Sequence, residues 1–396
     1  MKALRFERSL PRFAAARVAA MVSTGRAARV GPLHLVDADG PELPGDGWVA
    51  VRPRLSGICG SDLATIQARS SRWFEPIVSF PFVPGHEVVG DTGDGRRVVL
   101  EAVLGCDARG ASPRCAACEV GQVGRCERIG GGHLKPGLQT GYCTDTGGGW
   151  STALVAHTSQ LHVVPDALSD EDAVMVEPTA CAVHAVHRLT GVEMSSDPGR
   201  VAVIGAGTIG LCTIAALRQT FTDVAVIAAA RHPHQRRLAR ELGAEVVVGD
   251  EEIVRVARRF VGTSAVGDGS IERLTGGVDA TIDCVGSAET IATALSMTRP
   301  GGRVVLAGMP GHSSVDLTPL WQREIELTGA YAYGHEAASD RRTFDLAVEL
   351  VRDAGLGRLV SATYPLHRFA EALAHAAEAG RRGAVKIAFD LRQERD

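Results

Sequence analysis

The feature that most constrains this chain is a glycine-rich turn between two apolar runs, within VAVIGAGTIGLCTIAAL. Residues 201–204 are typical of a buried strand, and the residues after the turn are typical of a helix. The glycines follow the pattern G-x-G-x-x-G, which permits a tight turn, close approach of a pyrophosphate and tight helix packing. Free amides at the start of the helix favour phosphate. We therefore predict a dinucleotide site at Gly205, Gly207, Thr208, Ile209 and Gly210; the alternative is a turn without a ligand.

The residues after this turn repeat the alternation of strand and helix. A second strand is predicted at residues 224–229, then a helix in HQRRLARELGA, and further strands in AEVVVGD, VDATIDCVG and RVVLAG. Strands separated by helices of this length favour a parallel sheet covered on both faces. The sequence therefore predicts an α/β, doubly wound domain of Rossmann type.

The end of the second strand bears on the choice of dinucleotide. A carboxylate there accepts hydrogen bonds from the ribose of NAD, but this chain has Ala230, followed by Arg231 and His232. Loss of the carboxylate removes repulsion and the arginine attracts a 2′-phosphate, so we predict that NADP(H) is preferred over NAD(H). The alternative is a solvated Arg231 and tolerance of both cofactors.

The rest of the chain differs from this middle region. Residues 47–164 contain short alternating strands with many glycines and prolines, which predicts an irregular β domain. The tail from about residue 330 returns to helices and ends in the strand-like AVKIAFDL. The first 30 or so residues are arginine-rich and lack an uninterrupted signal-peptide core, so we interpret them as a surface arm.

Composition excludes several classes of protein. The chain has 396 residues, 45% of them hydrophobic, and a net charge of -4, which argues for two or three globular domains and against nucleic-acid or membrane partners. The most apolar stretch, residues 201–217, is short and broken by glycines, which does not suit a membrane span. Nine cysteines without an export signal favour metal or chemical use in a reducing, cytoplasmic compartment. The expected partner is a small-molecule substrate.

Two groups of residues have the chemistry of metal ligands. Cys59, His86, Glu87 and Glu177 supply a thiolate, an imidazole and carboxylates, which suit a catalytic zinc with one position left open. The second group is C-x2-C-x7-C, formed by Cys115, Cys118 and Cys126, with Cys106 eight residues before it. A loop back from Cys106 would give the four ligands that structural zinc favours; the alternative is a set of thiols without metal.

The motifs together resemble the zinc-dependent medium-chain dehydrogenase/reductase family, in particular its sorbitol, threonine and polyol dehydrogenase branch. GICGSD, PGHEVVG, EPTACAVHA, VAVIGAGTIG and RPGGRVVLAG occur in the family's order, over roughly residues 47–390. The resemblance implies a GroES-like, β-rich catalytic domain built from residues 1–183 and 330–396, with the Rossmann domain at residues 184–329 inserted between them. Dimers or tetramers are common in the family.

The resemblance also implies roles for single residues. Cys59, His86 and Glu177 resemble zinc ligands, and Glu87 matches a residue that replaces or alternates with the more distant ligand. Asp62 would orient His86. For the cysteine group, the family pattern begins at the position of Ser112, which puts the fourth ligand in question.

The proton path departs from the family. Ser61 matches the hydroxyl that contacts the reacting oxygen, but many relatives have a histidine where this chain has Ala64. Thr65, the cofactor ribose or water could complete the path instead. The segment 131–150 resembles the family only at its end and is either a substrate lid or a surface loop.

These observations predict hydride transfer between NADP(H) and a secondary alcohol or ketone, with a polyol, sugar or cyclitol-like substrate. One alternative is reduction of a C=N or conjugated C=C bond on the same fold. Another is a catalytically silent NADPH-binding protein.

Overall fold

The computed structural model describes residues 1–249, 252–267 and 273–394. Their contacts define two compact units. The first comprises Met1–Glu177, Tyr333–His335 and Ala347–Asp396, and the second comprises Pro178–Ala332 and Glu336–Leu346.

The secondary structure alternates between the two units along the chain. The strands are β1 Lys2–Phe6, β2 Leu33–Asp37, β3 Trp48–Gly57, β4 Val88–Thr92, β5 Arg97–Leu100, β6 Leu154–His157, β7 Leu161–Val163, β8 Gly199–Ile204, β9 Val224–Ala229, β10 Val246–Val248, β11 Ala265–Val266, β12 Arg273–Leu274, β13 Val278–Asp283, β14 Thr298–Leu306, β15 Glu326–Gly329, β16 His335–Glu336, β17 Arg341–Arg342, β18 Val360–Tyr364 and β19 Lys386–Asp390. The α-helices are α1 Leu10–Ala20, α2 Thr24–Val30, α3 Gly60–Ile66, α4 Ala116–Glu119, α5 Asp170–Ala173, α6 Val176–His187, α7 Thr208–Thr220, α8 Pro233–Glu241, α9 Ile253–Val261, α10 Ala288–Met297, α11 Thr318–Gln322, α12 Thr343–Ala354 and α13 Phe369–Ala377. Short 3-10 helices occupy Arg72–Ile77, Val123–Arg125, Thr158–Gln160, Leu356–Leu359 and Leu366–Arg368.

The first unit contains a sheet that joins both ends of the chain. Its strands follow the order β18-β19-β3-β4-β5-β7, and β6 also pairs with β3. Ser56 lies opposite Val88 in the antiparallel pair of β3 and β4, and Gly57 lies opposite Ala388 in the pair of β19 and β3. The end of β3 therefore lies beside the starts of β4 and β19, where chemically important side chains meet.

The second unit contains the predicted parallel sheet. Its six strands follow the order β10-β9-β8-β13-β14-β15, and every pair is parallel. Counted from β8, this is the 3-2-1-4-5-6 order of the dinucleotide-binding fold. The inner strands β8, β9 and β13 are almost entirely buried, as expected for a sheet covered on both faces. The predicted fold class is confirmed.

The interpretation of the first residues as a surface arm is wrong for β1. This strand pairs with β2, and Ala3, Leu4 and Phe6 are buried. The Leu4 amide donates to the Trp150 carbonyl at 2.9 Å, and the Phe6 ring stacks on Phe82 with centroids 5.1 Å apart. The strand has only five residues and its partner lies about thirty residues later, so its short apolar alternation between basic residues was not recognisable as part of a core.

Candidate active site and cysteine cluster

Three of the four residues predicted to form a catalytic metal site lie together in the first unit. Cys59 precedes α3, whereas His86 and Glu87 precede β4, and the pairing of β3 with β4 brings them close. One potential ligand atom from each of Cys59, His86 and Glu87 lies within 4.8 Å of the others. We call these three residues the mixed cluster. His86 and Glu87 are buried, and Cys59 is half-buried.

Asp62 lies beside the mixed cluster. Its Oδ2 accepts the Cys59 amide at 2.9 Å, and its Oδ1 lies 3.6 Å from His86 Nδ1. Burial raises the pKa of Asp62, although the charge of His86 opposes this. For His86 burial acts in the other direction, but Asp62, Cys59 and Glu177 together hold its pKa well above the ordinary value. The site thus concentrates negative groups around one imidazole, which favours a cation.

Glu177 lies near the mixed cluster without joining it. It is the second residue of α6 and is buried, and its charge acts on both His86 and Lys386. Within the part of the chain that the structure describes, the residues whose ligand atoms meet within 4.8 Å are Cys59, His86 and Glu87 alone at this site. Of the two predicted carboxylates, Glu87 is therefore the nearer to Cys59 and His86 in this arrangement.

Glu87 has a partner that sequence reasoning missed. Lys386, from β19, is only 2% exposed and forms an ion pair with Glu87 Oε2. Its ammonium also donates to the Ile58 carbonyl at 3.3 Å. Burial opposes the charge of Lys386, but Glu87 and Cys59 raise its pKa. The signal in the sequence was a lysine inside the otherwise apolar AVKIAF, because a lysine is almost never fully buried unless it is paired.

The four predicted cysteines also lie together, and we call them the cysteine cluster. They are Cys106, Cys115, Cys118 and Cys126, each at most 7% exposed and none in a disulfide. Their sulfurs lie within 4.8 Å of one another. The Cys115 amide donates to Cys106 Sγ at 3.3 Å, so the segment from 107 to 114 loops back as the sequence required. Burial opposes ionisation of Cys115, but donors from Glu127 and Cys118 lower its pKa to about 6. Four buried thiols without disulfides suit structural zinc.

Buried Arg109 shapes the loop that brings Cys106 into place. Its guanidinium donates to the carbonyls of Leu104 at 3.0 Å and Gly131 at 3.2 Å, and also to that of Gly137. These donations satisfy backbone groups of a segment with little regular structure. Sequence reasoning missed this residue because its partners are carbonyls, which leave no trace in the side-chain pattern.

The segment 131–150 proves to be largely interior at its end. Tyr142, Cys143 and Trp150 are all buried, so a mere surface loop is the wrong description there. The Tyr142 hydroxyl donates to Asp62 Oδ1 at 3.3 Å, and its ring lies 6.0 Å from that of His86. Sequence reasoning did not identify Tyr142 as a residue of the site.

The glycine turn in the second unit has the predicted shape. Gly205 follows β8 with φ of +91°, a conformation that favours glycine. A Cβ on Gly210 would lie 1.8 Å from the Gly205 carbonyl oxygen, whereas the space around Gly207 is open. Gly207 caps α7, so Thr208 and Ile209 present the first amides of that helix.

The next strand end carries the basic residues predicted to select the cofactor. Ala230 is fully buried behind β9, Arg231 is exposed, and His232 caps α8. The Arg236 guanidinium donates to the carbonyls of Ala230 at 3.1 Å and Arg231 at 3.0 Å. The backbone of this turn is thus held in place, with a guanidinium on its outer side.

Comparison with known proteins agrees with these two units. Residues 45–166 match the alcohol dehydrogenase GroES-like domain, and residues 208–353 match the zinc-binding dehydrogenase model. L-idonate 5-dehydrogenase of Vitis vinifera is 30% identical over 368 residues, covering 87% of this chain and 88% of that protein. Sorbitol dehydrogenase of Arabidopsis thaliana is also 30% identical, over 361 residues, with the same shares covered.

Solved structures give the same fold. Galactitol-1-phosphate dehydrogenase from Escherichia coli superposes with a TM-score of 0.70 at 20% identity, covering 98% of this chain and 100% of that one. The chain belongs to the zinc-dependent medium-chain dehydrogenase family, of the alcohol dehydrogenase type. It is an oxidoreductase that acts on CH–OH groups. Within the described ranges, no helix has the length and apolarity needed to cross a membrane.

Proposed function

We propose that this chain interconverts a polyol or sugar-derived secondary alcohol and its ketone, with zinc and NADP(H) as cofactors. The observation that carries the proposal is the meeting of Cys59, His86 and Glu87 within 4.8 Å, with Glu177 close enough to act on His86. The substrate class follows the relatives that act on idonate and sorbitol. The role of each residue, the cofactor preference and the substrate class all belong to the proposal.

The donor set of the mixed cluster fits a catalytic zinc. Cys59 and His86 would hold the ion, with Glu177 or Glu87 as the third ligand, which leaves one position for substrate. When bound, zinc supplies the Lewis acidity that lowers the pKa of an alcohol hydroxyl. Asp62 would fix the orientation of the His86 ring, because its carboxylate lies on the Nδ1 side.

Ser61 would receive the substrate hydroxyl. Its Oγ is buried and makes no well-formed hydrogen bond to the described residues. A buried hydroxyl without a partner is costly, so a ligand that satisfies it gains affinity and orientation. A secondary alcohol offers both a donor and an acceptor at that point.

The Rossmann-type unit would bind the dinucleotide at the glycine turn. The open space at Gly207 and the free amides of α7 suit a pyrophosphate. A nicotinamide cofactor supplies the acceptor or donor of the hydride. Arg231, with Ala230 in place of an acid, supports a preference for the 2′-phosphate of NADP(H).

Metal content and turnover test the proposal together. The zinc-loaded, chelator-washed chain and its Cys59→Ser variant are compared by elemental analysis and by NADP⁺ reduction with sorbitol, idonate and related polyols. We expect two zinc ions per chain in the first and one in the variant, with activity reduced at least about a thousandfold and NADPH binding retained. Equal zinc content in the two proteins, or turnover that survives the substitution, would refute the assignment of Cys59.

A further inference from the structure

The hydroxyls around Ser61 form a connected series that reaches the protein surface. Thr65 Oγ1 lies 3.4 Å from the Tyr142 hydroxyl and 2.9 Å from Ser70 Oγ. Ser70 is exposed, and Thr65 is half-buried. At the inner end, Ser61 lies close enough to Tyr142 for its hydroxyl to influence the phenol. The order from the inside outward is therefore Ser61, Tyr142, Thr65 and Ser70.

We propose that this series of hydroxyls, Ser61, Tyr142, Thr65 and Ser70, conducts the proton of the substrate alcohol to solvent. The inference rests on the proposed function, because it needs an alcohol beside Ser61. It gives Tyr142 a role in proton transfer and explains how the reaction proceeds with Ala64 at a position that offers no titratable group.

The proton and electron balance is simple. Oxidation of a secondary alcohol gives a ketone, a hydride that leaves with the cofactor, and one proton. Each hydroxyl in the series accepts a proton on a lone pair and gives up its own, so one proton enters at Ser61 and one leaves at Ser70. Ketone reduction runs the same transfers in reverse.

The surroundings of Tyr142 favour a neutral relay over a base. Burial and the charge of Asp62 raise the pKa of the phenol well above its ordinary value, against the smaller effects of Thr65 and Ser61. The phenol therefore keeps a proton and can pass one on only by accepting another. Thr65 donates to the Ser61 carbonyl at 2.9 Å, which leaves its lone pairs for Tyr142 and Ser70 until its hydrogen turns outward. The 3.4 Å separation is long, but hydrogen bonds in catalytic sites commonly shorten when substrate binds.

Two substitutions interrupt the series with little change in shape. Tyr142→Phe and Thr65→Val each remove one hydroxyl, and Thr144→Val is the matched control. Thr144 lies two residues from Tyr142, and its buried hydroxyl makes no hydrogen bond to the described residues. Zinc content and thermal stability are measured for every protein, so that loss of metal is separated from slow proton transfer.

The measurement is the rate of proton release when zinc-loaded protein with NADP⁺ is mixed with trifluoroethanol and a pH indicator in a stopped-flow instrument. Trifluoroethanol gives up its hydroxyl proton but resists loss of hydride, so the signal is separate from turnover. We expect release about a hundredfold slower in Tyr142→Phe and Thr65→Val, with unchanged amplitude and unchanged rate in Thr144→Val. Added imidazole should restore the rate in Thr65→Val, because that site is open to solvent.

The possible outcomes separate the two proposals. Rapid release in the wild-type protein that stays equally rapid in both variants would overturn the relay and leave the proposed function standing. Slow release that imidazole does not restore would also count against the relay and assign Thr65 a structural role. A wild-type protein that releases no proton with trifluoroethanol would overturn the proposed function, and the relay with it.

Discussion

The mixed cluster and the cysteine cluster lie in the same unit but differ in what surrounds their donor atoms. The four sulfurs of the cysteine cluster are all buried, and the described contacts of Cys106 are with another cysteine sulfur and a backbone amide. In the mixed cluster, Cys59 is half-buried, Ser61 lacks a well-formed hydrogen bond, and Glu87 is paired with a lysine. One cluster is closed on all sides, and the other contains groups that a substrate can reach or satisfy.

This difference indicates different uses for two similar donor sets. A closed set of four thiolates satisfies a zinc ion completely and contributes its binding energy to folding. An open set with a third shared or mobile carboxylate leaves a coordination position for chemistry. Loss of a donor should therefore reduce stability in the first cluster and activity in the second.

The largest effect is expected from breaking the cysteine cluster. Cys118→Ser should remove one zinc and lower the free energy of unfolding by more than about 4 kcal/mol, because structural zinc stabilises only the folded chain. Cys143→Ser is the matched control, since Cys143 is also buried in this unit but lies outside the cluster. Elemental analysis and denaturant unfolding provide the measurements. A Cys118→Ser protein as stable as Cys143→Ser would show that no metal holds this loop.

The fold was largely predictable because its strongest signals are local. The strand, glycine turn and helix at residues 199–220 are contiguous, and each glycine has a steric reason visible in the pattern. The strand β1 was missed because its burial depends on Phe82 and Trp150, far along the chain. Local pattern reveals an element, whereas its burial depends on distant partners.

The site divides in the same way. Cys59, His86 and the four cysteines occur in short motifs, so sequence reasoning could nominate them, although their roles as ligands stay a prediction. Lys386 meets Ile58 across 328 positions, and Tyr142 meets Asp62 across 80. No local pattern reports such meetings, because β-sheet pairing and loop packing create them.

A smaller loss of stability is expected in the mixed cluster when Lys386 is removed. Lys386→Met leaves the buried carboxylate of Glu87 without its cation, which should lower the free energy of unfolding by about 3 kcal/mol. Adding Glu87→Gln to the same chain should recover most of that loss, because the uncompensated charge disappears. Denaturant unfolding of the two single variants and the double variant measures the coupling. If the two losses simply add, the ion pair contributes nothing to the cluster.

The smallest effect concerns the second unit and tests whether the cofactor preference follows the strand end rather than the overall charge. Arg231→Asp should shift the ratio of kcat/KM for NADP⁺ over NAD⁺ by about thirtyfold toward NAD⁺, roughly 2 kcal/mol, because a carboxylate repels the 2′-phosphate and accepts from the ribose. Arg237→Asp makes the same change of charge on α8, where Arg237 is exposed and paired with Glu241, and should leave the ratio within about twofold. Equal shifts in the two variants would mean that long-range charge sets the preference. An unchanged ratio in Arg231→Asp would remove Arg231 from the cofactor site, and the buried Ala230 would then be the only feature left at this strand end to favour NADP(H).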